Sequence, residues 1–134
     1  ALASYYSRIG YGNCDLSGGA GNYWSNSLAI SPLEQVRLLS GLLSNTWDFA
    51  SENIRAVKDA MLLSEHSVSG GRLYGKTGTS NPDGGTQSGW FVGFLETGET
   101  TYCFAVNLQG EGCDGSTAAD VALQSLTTIL SRTE

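Results

Sequence analysis

The stretch "GGRLYGKTGTS", Gly70 to Ser80, admits two incompatible readings. Gly70, four residues, then Gly75-Lys76-Thr77 match the phosphate-loop pattern G-x-x-x-x-G-K-[ST] letter for letter. Shifted to the right, the same letters put Lys76, Thr77 and Gly78 in a row at the end of an alternating segment. There a cation and a hydroxyl can meet a carboxylate, and the glycine leaves room for a flat ring against the backbone. The fold of the chain follows from which reading holds.

A phosphate loop needs a strand before its first glycine and a helix opening at the lysine, so that N–H groups and the helix dipole face the phosphates. The residues before Gly70 read as helical and then turn-like, and "GTSNPDGG" after Thr77 cannot begin a helix. Arg72-Leu73-Tyr74 alternates like a strand and is bulky for a loop that must wrap an anion. "GWFVGFLE" follows at hairpin distance, too close to serve as a separate acidic strand holding magnesium. The nucleotide reading fails on its context.

Working outward, "RLYGKTG", "GWFVGFLE" and "TTYCFAVNL" have a period of two and predict three strands, the last with Tyr102, Phe104, Val106 and Leu108 on one side. "TGE" (Thr97 to Glu99) is the hairpin turn between the second and third. Upstream, "SPLEQVRLLSGLLS" starts a helix, with Ser31 as N-cap, Pro32 in the first turn and Glu34 at the capping-box position. Its apolar stripe is Leu33, Val36, Leu39, Leu42 and Leu43. A second helix is expected from about Ser51 to Leu63, with Ile54, Val57 and Met61 on one face. "ALASYYSRIGYGN" reads as the end of a helix broken at Gly10 and Gly12, followed by the Gly-rich loop "SGGAGNYWSNS". Ser116 can cap a final helix whose buried stripe is Ala119, Ala122, Leu126, Ile129 and Leu130. The expected class is α+β, a three-stranded antiparallel sheet with helices, in one domain over residues 1–134.

The net charge of −6, with Lys58 and Lys76 the only lysines, argues against nucleic acid or an anionic membrane as partner. No apolar run reaches the length of a bilayer span and no signal peptide is visible. The chain opens Ala1-Leu2 without methionine, which reads as a processed product or a piece of something longer. Cys14, Cys103 and Cys113 have no metal-site spacing, could form one disulfide at most and leave the redox compartment open. No metal and no cofactor is expected. His66, the only histidine, sits beside Glu65 at an expected helix end, which argues against a Ser-His-Asp triad.

Tyr11-Gly12-Asn13, "CDLSGG", Trp24 thirteen residues after Tyr11, "SLAISPLEQVRLL", "YGKTGT" and "GWFVGFLET" together span nearly the whole chain. This combination resembles the C-terminal half of class D β-lactamases and of the extracellular penicillin-binding domains of transmembrane β-lactam sensor-transducers, with their transpeptidase-like fold. The resemblance implies that the Tyr11-Gly12-Asn13 loop lines the active site, and that Trp24 faces a carboxylated lysine base. It implies that Lys76, Thr77 and Gly78 bind and orient the β-lactam carboxylate. The backbone N–H of Thr79 would be half of the oxyanion hole, a donor worth about 3 kcal/mol in comparable acyl-transfer sites.

The family's S-x-x-K nucleophile motif is missing, because Arg55 stands three residues before Lys58 and Leu73 three before Lys76. Ser51-Glu52-Asn53 imitates the family's S-x-N, but at a helix start where Ser51 has work as an N-cap. The arginine that many hydrolases of the family carry near the last helix is also absent from "DGSTAADVALQ". "NLQGEGCDGSTAAD" and the K-T-G-T ending are similar to the sensors. The resemblance thus implies a β-lactam sensor acylated on a serine outside these residues, held at the extracellular face of a membrane. Its partners would be β-lactam antibiotics and the N-terminal half of the same domain, with self-association of the chain when alone. A secreted class D β-lactamase and a non-catalytic interaction module are the alternatives.

Overall fold

A computed structural model describes residues 1–81, 84–98 and 100–132. Helices α1 (Leu2–Ile9), α2 (Tyr23–Asn26), α3 (Pro32–Leu43) and α4 (Ser51–Met61) come first. Strands β1 (Leu62–Val68), β2 (Gly71–Ser80), β3 (Ser88–Thr97) and β4 (Thr100–Gln109) follow, and α5 (Gly115–Leu130) closes the chain. The sheet is antiparallel throughout in the order β1-β2-β3-β4, so the α+β class holds with four strands where three were expected.

The extra strand lies where helix α4 was expected to continue to Leu63. The helix stops at Met61, Leu62 turns extended (φ −63°, ψ 124°), and His66 stands in β1 rather than at a helix end. Ser69 and Gly70, both at positive φ (49° and 71°), form the two-residue turn that folds β1 onto β2. Most of β1 is exposed and only Val68 is buried, so it lacks the apolar alternation that marks β2 to β4.

Strand alternation gives the sheet two different faces. Leu73, Phe91 and Leu95 face α5, where Ala118, Ala122, Leu126 and Leu130 are buried. Phe104, Val106 and Leu108 join them on the side expected for β4, while Tyr102 stays at the rim, 38% exposed. Tyr74 and Phe94 stack on the opposite face (ring centroids 4.4 Å) and pack under Leu39 of α3 and Met61 of α4. Glu96 anchors the far end of that face. It accepts from Lys58 Nζ at 2.6 Å, Tyr74 OH at 3.1 Å and Arg72 at 3.2 Å. Burial alone would push its carboxyl up, but bonds from Lys58 and Tyr74 and the nearby cations outweigh burial and hold it below the usual carboxylate range.

The capping box at Ser31 and Glu34 forms in full, and α1 ends at a left-handed Gly10. Other local expectations need correction. Ala50, not Ser51, is the N-cap of α4, since the N–H groups of Asn53 and Ile54 bond to Ala50 O. Asp114, not Ser116, caps α5, because its carboxylate reaches Thr117 N at 2.8 Å while Ser116 is already helical. Ile129, expected in the buried stripe of the last helix, is exposed, as are Leu33 and Val57 on the apolar faces of α3 and α4. The expected turn residue Glu99 lies outside the described residues, as do Pro82 and Asp83 of the loop after β2. Among the described residues no helix is long and apolar enough to cross a membrane.

Candidate functional site

Lys76, Thr77, Gly78 and Thr79 occupy the last part of β2, paired with β3 in unbroken register from Arg72–Glu96 to Ser80–Ser88. No helix opens at Lys76, so the geometry of a phosphate loop is absent. The partner on the other side, β1, pairs only as far as Tyr74. Beyond it, among the described residues, the outer edge of β2 has no neighbouring strand. Val68 and Gly71 flank a two-residue turn and so exchange both their backbone hydrogen bonds. Alternation from Gly71 turns the backbone N–H and C=O groups of Thr77 and Thr79 to this unpaired edge.

Helix α5 clamps the strand from behind. Gly115 N donates to Thr79 Oγ1 at 2.9 Å. A Cβ at Gly115 would lie 2.8 Å from Thr77 Cβ and 3.0 Å from Gly78 N, so only glycine allows this approach. Gly78 has a different surrounding: a Cβ there would meet only Trp90 Cβ, at 3.7 Å. Its free side opens outward. Lys76 is exposed, donates from Nζ to Thr77 O at 2.7 Å and makes no ion pair among the described residues.

An open cleft of about 710 Å³ lies over the α3-facing side of this strand end. Gly78, Thr79, Trp90 and Asn107 line it from the sheet, with Tyr11, Trp24, Ile30 and Gln35 opposite. Of the residues singled out in the sequence, the cleft unites Tyr11, Trp24, Gly78 and Thr79. Lys76 and Thr77 line a smaller hollow of about 440 Å³ against α5, which also holds His66, Ser116 and Asp120. Asn13 lines neither. Its side chain donates to Ser27 O at 2.8 Å and accepts from Asp15 N and Ala29 N at 3.1 and 3.0 Å. It therefore ties the loop carrying Tyr11 to the segment after Trp24, a scaffold role.

Aromatic contacts complete that wall. Trp24 sits edge-on to Tyr23 (5.0 Å), Tyr23 edge-on to Tyr6 (6.2 Å), and Tyr6 stacks on Tyr11 (4.7 Å, 16°). The Tyr23 hydroxyl bond to Tyr6, aided by burial, pushes the Tyr6 phenol up to about 12. Gln35 Nε2 donates to Tyr11 OH at 3.1 Å. Gln35 and Trp90, inside the quoted motifs "SLAISPLEQVRLL" and "GWFVGFLET", and Asn107 line the cleft without having been given a site role. Trp90 was accessible from β3 alternation, which places it on one face with Val92 and Phe94. Gln35 meets Tyr11 across 24 positions, and no local signal marks that. Among the described residues, no cluster of histidine, cysteine and acidic side chains could hold a metal ion.

Residues 1–127 match the penicillin binding protein transpeptidase domain. The regulatory protein BlaR1 of Bacillus licheniformis is 47% identical over 127 residues, 93% of this chain and 21% of that protein. The solved C-terminal domain of the Bacillus licheniformis BlaR penicillin-receptor is 44% identical with a TM-score of 0.85, covering 95% of this chain and 51% of that one. The class D β-lactamase BAT-2 is 35% identical with a TM-score of 0.81, covering 96% of this chain and 52% of that one. The chain thus spans about half the length of these solved relatives. The exposed K-T-G strand end, clamped by α5 beneath an aromatic cleft, belongs to a chain of the penicillin binding protein transpeptidase domain family.

Proposed function

We propose that this chain is the C-terminal part of the penicillin-binding domain of a β-lactam sensor. The observation that carries the reading is the unpaired edge of β2, where Thr79 N–H faces outward beside a cleft. A β-lactam lying along that edge would place its ring against Gly78, where no side chain intervenes. Its carboxylate would meet the Lys76 ammonium, whose remaining N–H groups are free to donate, and the Thr77 hydroxyl. Its carbonyl oxygen would accept from Thr79 N–H as negative charge develops there.

The chain holds no S-x-x-K, so the nucleophile belongs to the N-terminal half of the domain, the partner of this chain. That serine adds to the β-lactam carbonyl, the ring C–N bond breaks, and the ring nitrogen takes up the proton. Persistence of the acyl-serine is the signal in a sensor, whereas a hydrolase releases it with water. Over 95–96% of this chain, identity of 44% to the solved BlaR domain against 35% to the class D enzyme supports the sensor. A sensor of this kind sits at the extracellular face of the membrane.

Intact mass of the full-length protein after exposure to penicillin tests the proposal. A stoichiometric adduct that outlasts the free drug is expected. Rapid turnover would make the protein a class D β-lactamase, and no adduct would leave a non-catalytic module. Lys76→Ala should slow acylation by an amount worth about 2–3 kcal/mol, the scale of a charge-assisted contact. The melting temperature should hardly move, because Lys76 is exposed at a strand end. Early melting with normal acylation of the folded fraction would make Lys76 structural instead.

A further inference from the structure

We propose that Gln35 is a positioning residue that sets the Tyr11 hydroxyl as a hydrogen-bond donor into the cleft. The inference rests on the penicillin-binding reading above. Gln35 stands in the first turns of α3, whose start is fixed by the Ser31–Glu34 capping box. Farther along, Leu39 is buried with Tyr74 and Phe94, so the helix carrying Gln35 is anchored at both points. The Tyr11 ring is held on one face by Tyr6 at 4.7 Å, and its loop is fixed where Gly12 closes on Ala29. A Cβ at Gly12 would meet Ala29 O at 2.0 Å. Only the rotation of the phenol O–H is then left open.

Gln35 settles that rotation. Its Nε2 donates to Tyr11 OH at 3.1 Å, so the phenol oxygen is occupied as an acceptor. The phenol proton must then point elsewhere, and both residues line the same cleft. Carbonyl, carboxylate and amide oxygens of a β-lactam are what such a donor would meet. Gln35 touches the reaction only through Tyr11.

Three variants of the full-length protein test the inference. Gln35→Met keeps volume and removes the bond, and should slow penicillin acylation about five-fold, the ratio carried by one ordinary hydrogen bond. Gln35→Glu can only accept, takes the Tyr11 proton away from the cleft, and should slow acylation at least as much. In a Tyr11→Phe background both Gln35 changes should have no further effect on the acylation rate. Normal rates for both single variants, or effects that add to Tyr11→Phe, would overturn the inference. A ligand-free readout separates this from the functional reading: the ¹³Cζ shift of Tyr11, which reports the hydrogen bonds of its phenol oxygen, should move in Gln35→Met. An unchanged shift refutes the positioning role, whether or not the protein is acylated. Absence of acylation in the wild type refutes the penicillin-binding reading alone.

Discussion

Gly115→Ala should damage the K-T-G edge from a position outside the cleft. The added methyl would sit 2.8 Å from Thr77 Cβ and 3.0 Å from both Gly78 N and Gly78 O. Ordinary carbon contacts lie near ~3.5–4.0 Å, so α5 and β2 must separate by several tenths of an ångström or more. Overpacking of this sort costs about 1–3 kcal/mol. In a domain of roughly 150–250 residues each kcal/mol lowers the melting temperature by about 2–4 °C. The same movement stretches the bond from Gly115 N to Thr79 Oγ1 and shifts the Thr79 N–H. A misplacement of about 1 Å can cost on the order of 100-fold in rate, so acylation should fall by more than the stability loss predicts. Thermal melting and stopped-flow acylation of the full-length protein read the two effects. Gly112→Ala is the control. It is strained, with φ at 74°, but its Cβ would point into open space. That variant should lose about 1 kcal/mol with normal acylation of its folded fraction. Wild-type acylation by Gly115→Ala, or equal losses in both variants, would refute the clamp.

Two further expectations concern the ends of the sheet. Glu96→Gln should destabilise the fold by about 1–3 kcal/mol near neutral pH through its bonds to Lys58, Tyr74 and Arg72. The folded carboxyl is held below its unfolded value, so this contribution is present above the unfolded pKa and is lost as pH falls through the folded one. The gap between wild type and variant in chemical melts should therefore close as pH drops below about 4; a constant gap would contradict it. At the other end, β4 has β3 as its only neighbour among the described residues and turns the backbone groups of Thr101, Cys103 and Ala105 outward. The 134-residue chain alone should therefore self-associate, or pair with a separate N-terminal half, in light scattering. A clean monomer at high concentration would show that β4 needs no cover.

Legibility differed along the chain for physical reasons. Strands β2 to β4 and the K-T-G element could be read because both faces of the sheet are covered, α5 on one and α3 with α4 on the other. Burial on both sides packs Leu, Phe, Tyr and Val into short apolar runs bounded by turn residues, which mark strands. β1 escaped because it is an edge strand with only Val68 buried, and its sole local mark was the Ser69-Gly70 turn. The exposed Leu33, Val57 and Ile129 show the limit of helical periodicity. A stripe identifies an apolar face, but not what lies against it. Asn13 shows the same limit within a motif. Its position beside Tyr11 reads as an active-site group, yet all its described bonds hold backbone from Asp15 to Ala29. The aromatic ladder from Trp24 to Tyr11 joins three separate segments, and contacts of that kind leave no trace in local spacing.

The arrangement around Thr79 separates what is fixed from what must arrive. Pairing with β3 in continuous register fixes its backbone, and the Gly115 N–H bond to its side chain holds it from the α5 side. Gly89 extends that clamp, since a Cβ there would meet Asp114 O at 2.1 Å, and Asp114 is itself the N-cap of α5. The carboxylate that caps the helix, the two glycines and the threonine therefore form one continuous support for the outward N–H of Thr79. None of these contacts involves the cleft wall carrying Tyr11 and Trp24. A donor held in this way need not reorient when charge develops on a carbonyl oxygen, and it is this lack of reorganisation that makes such donors effective. The segment that brings a nucleophile to this edge would thus meet one finished donor and supply the attacking group, its base and the other half of the oxyanion hole.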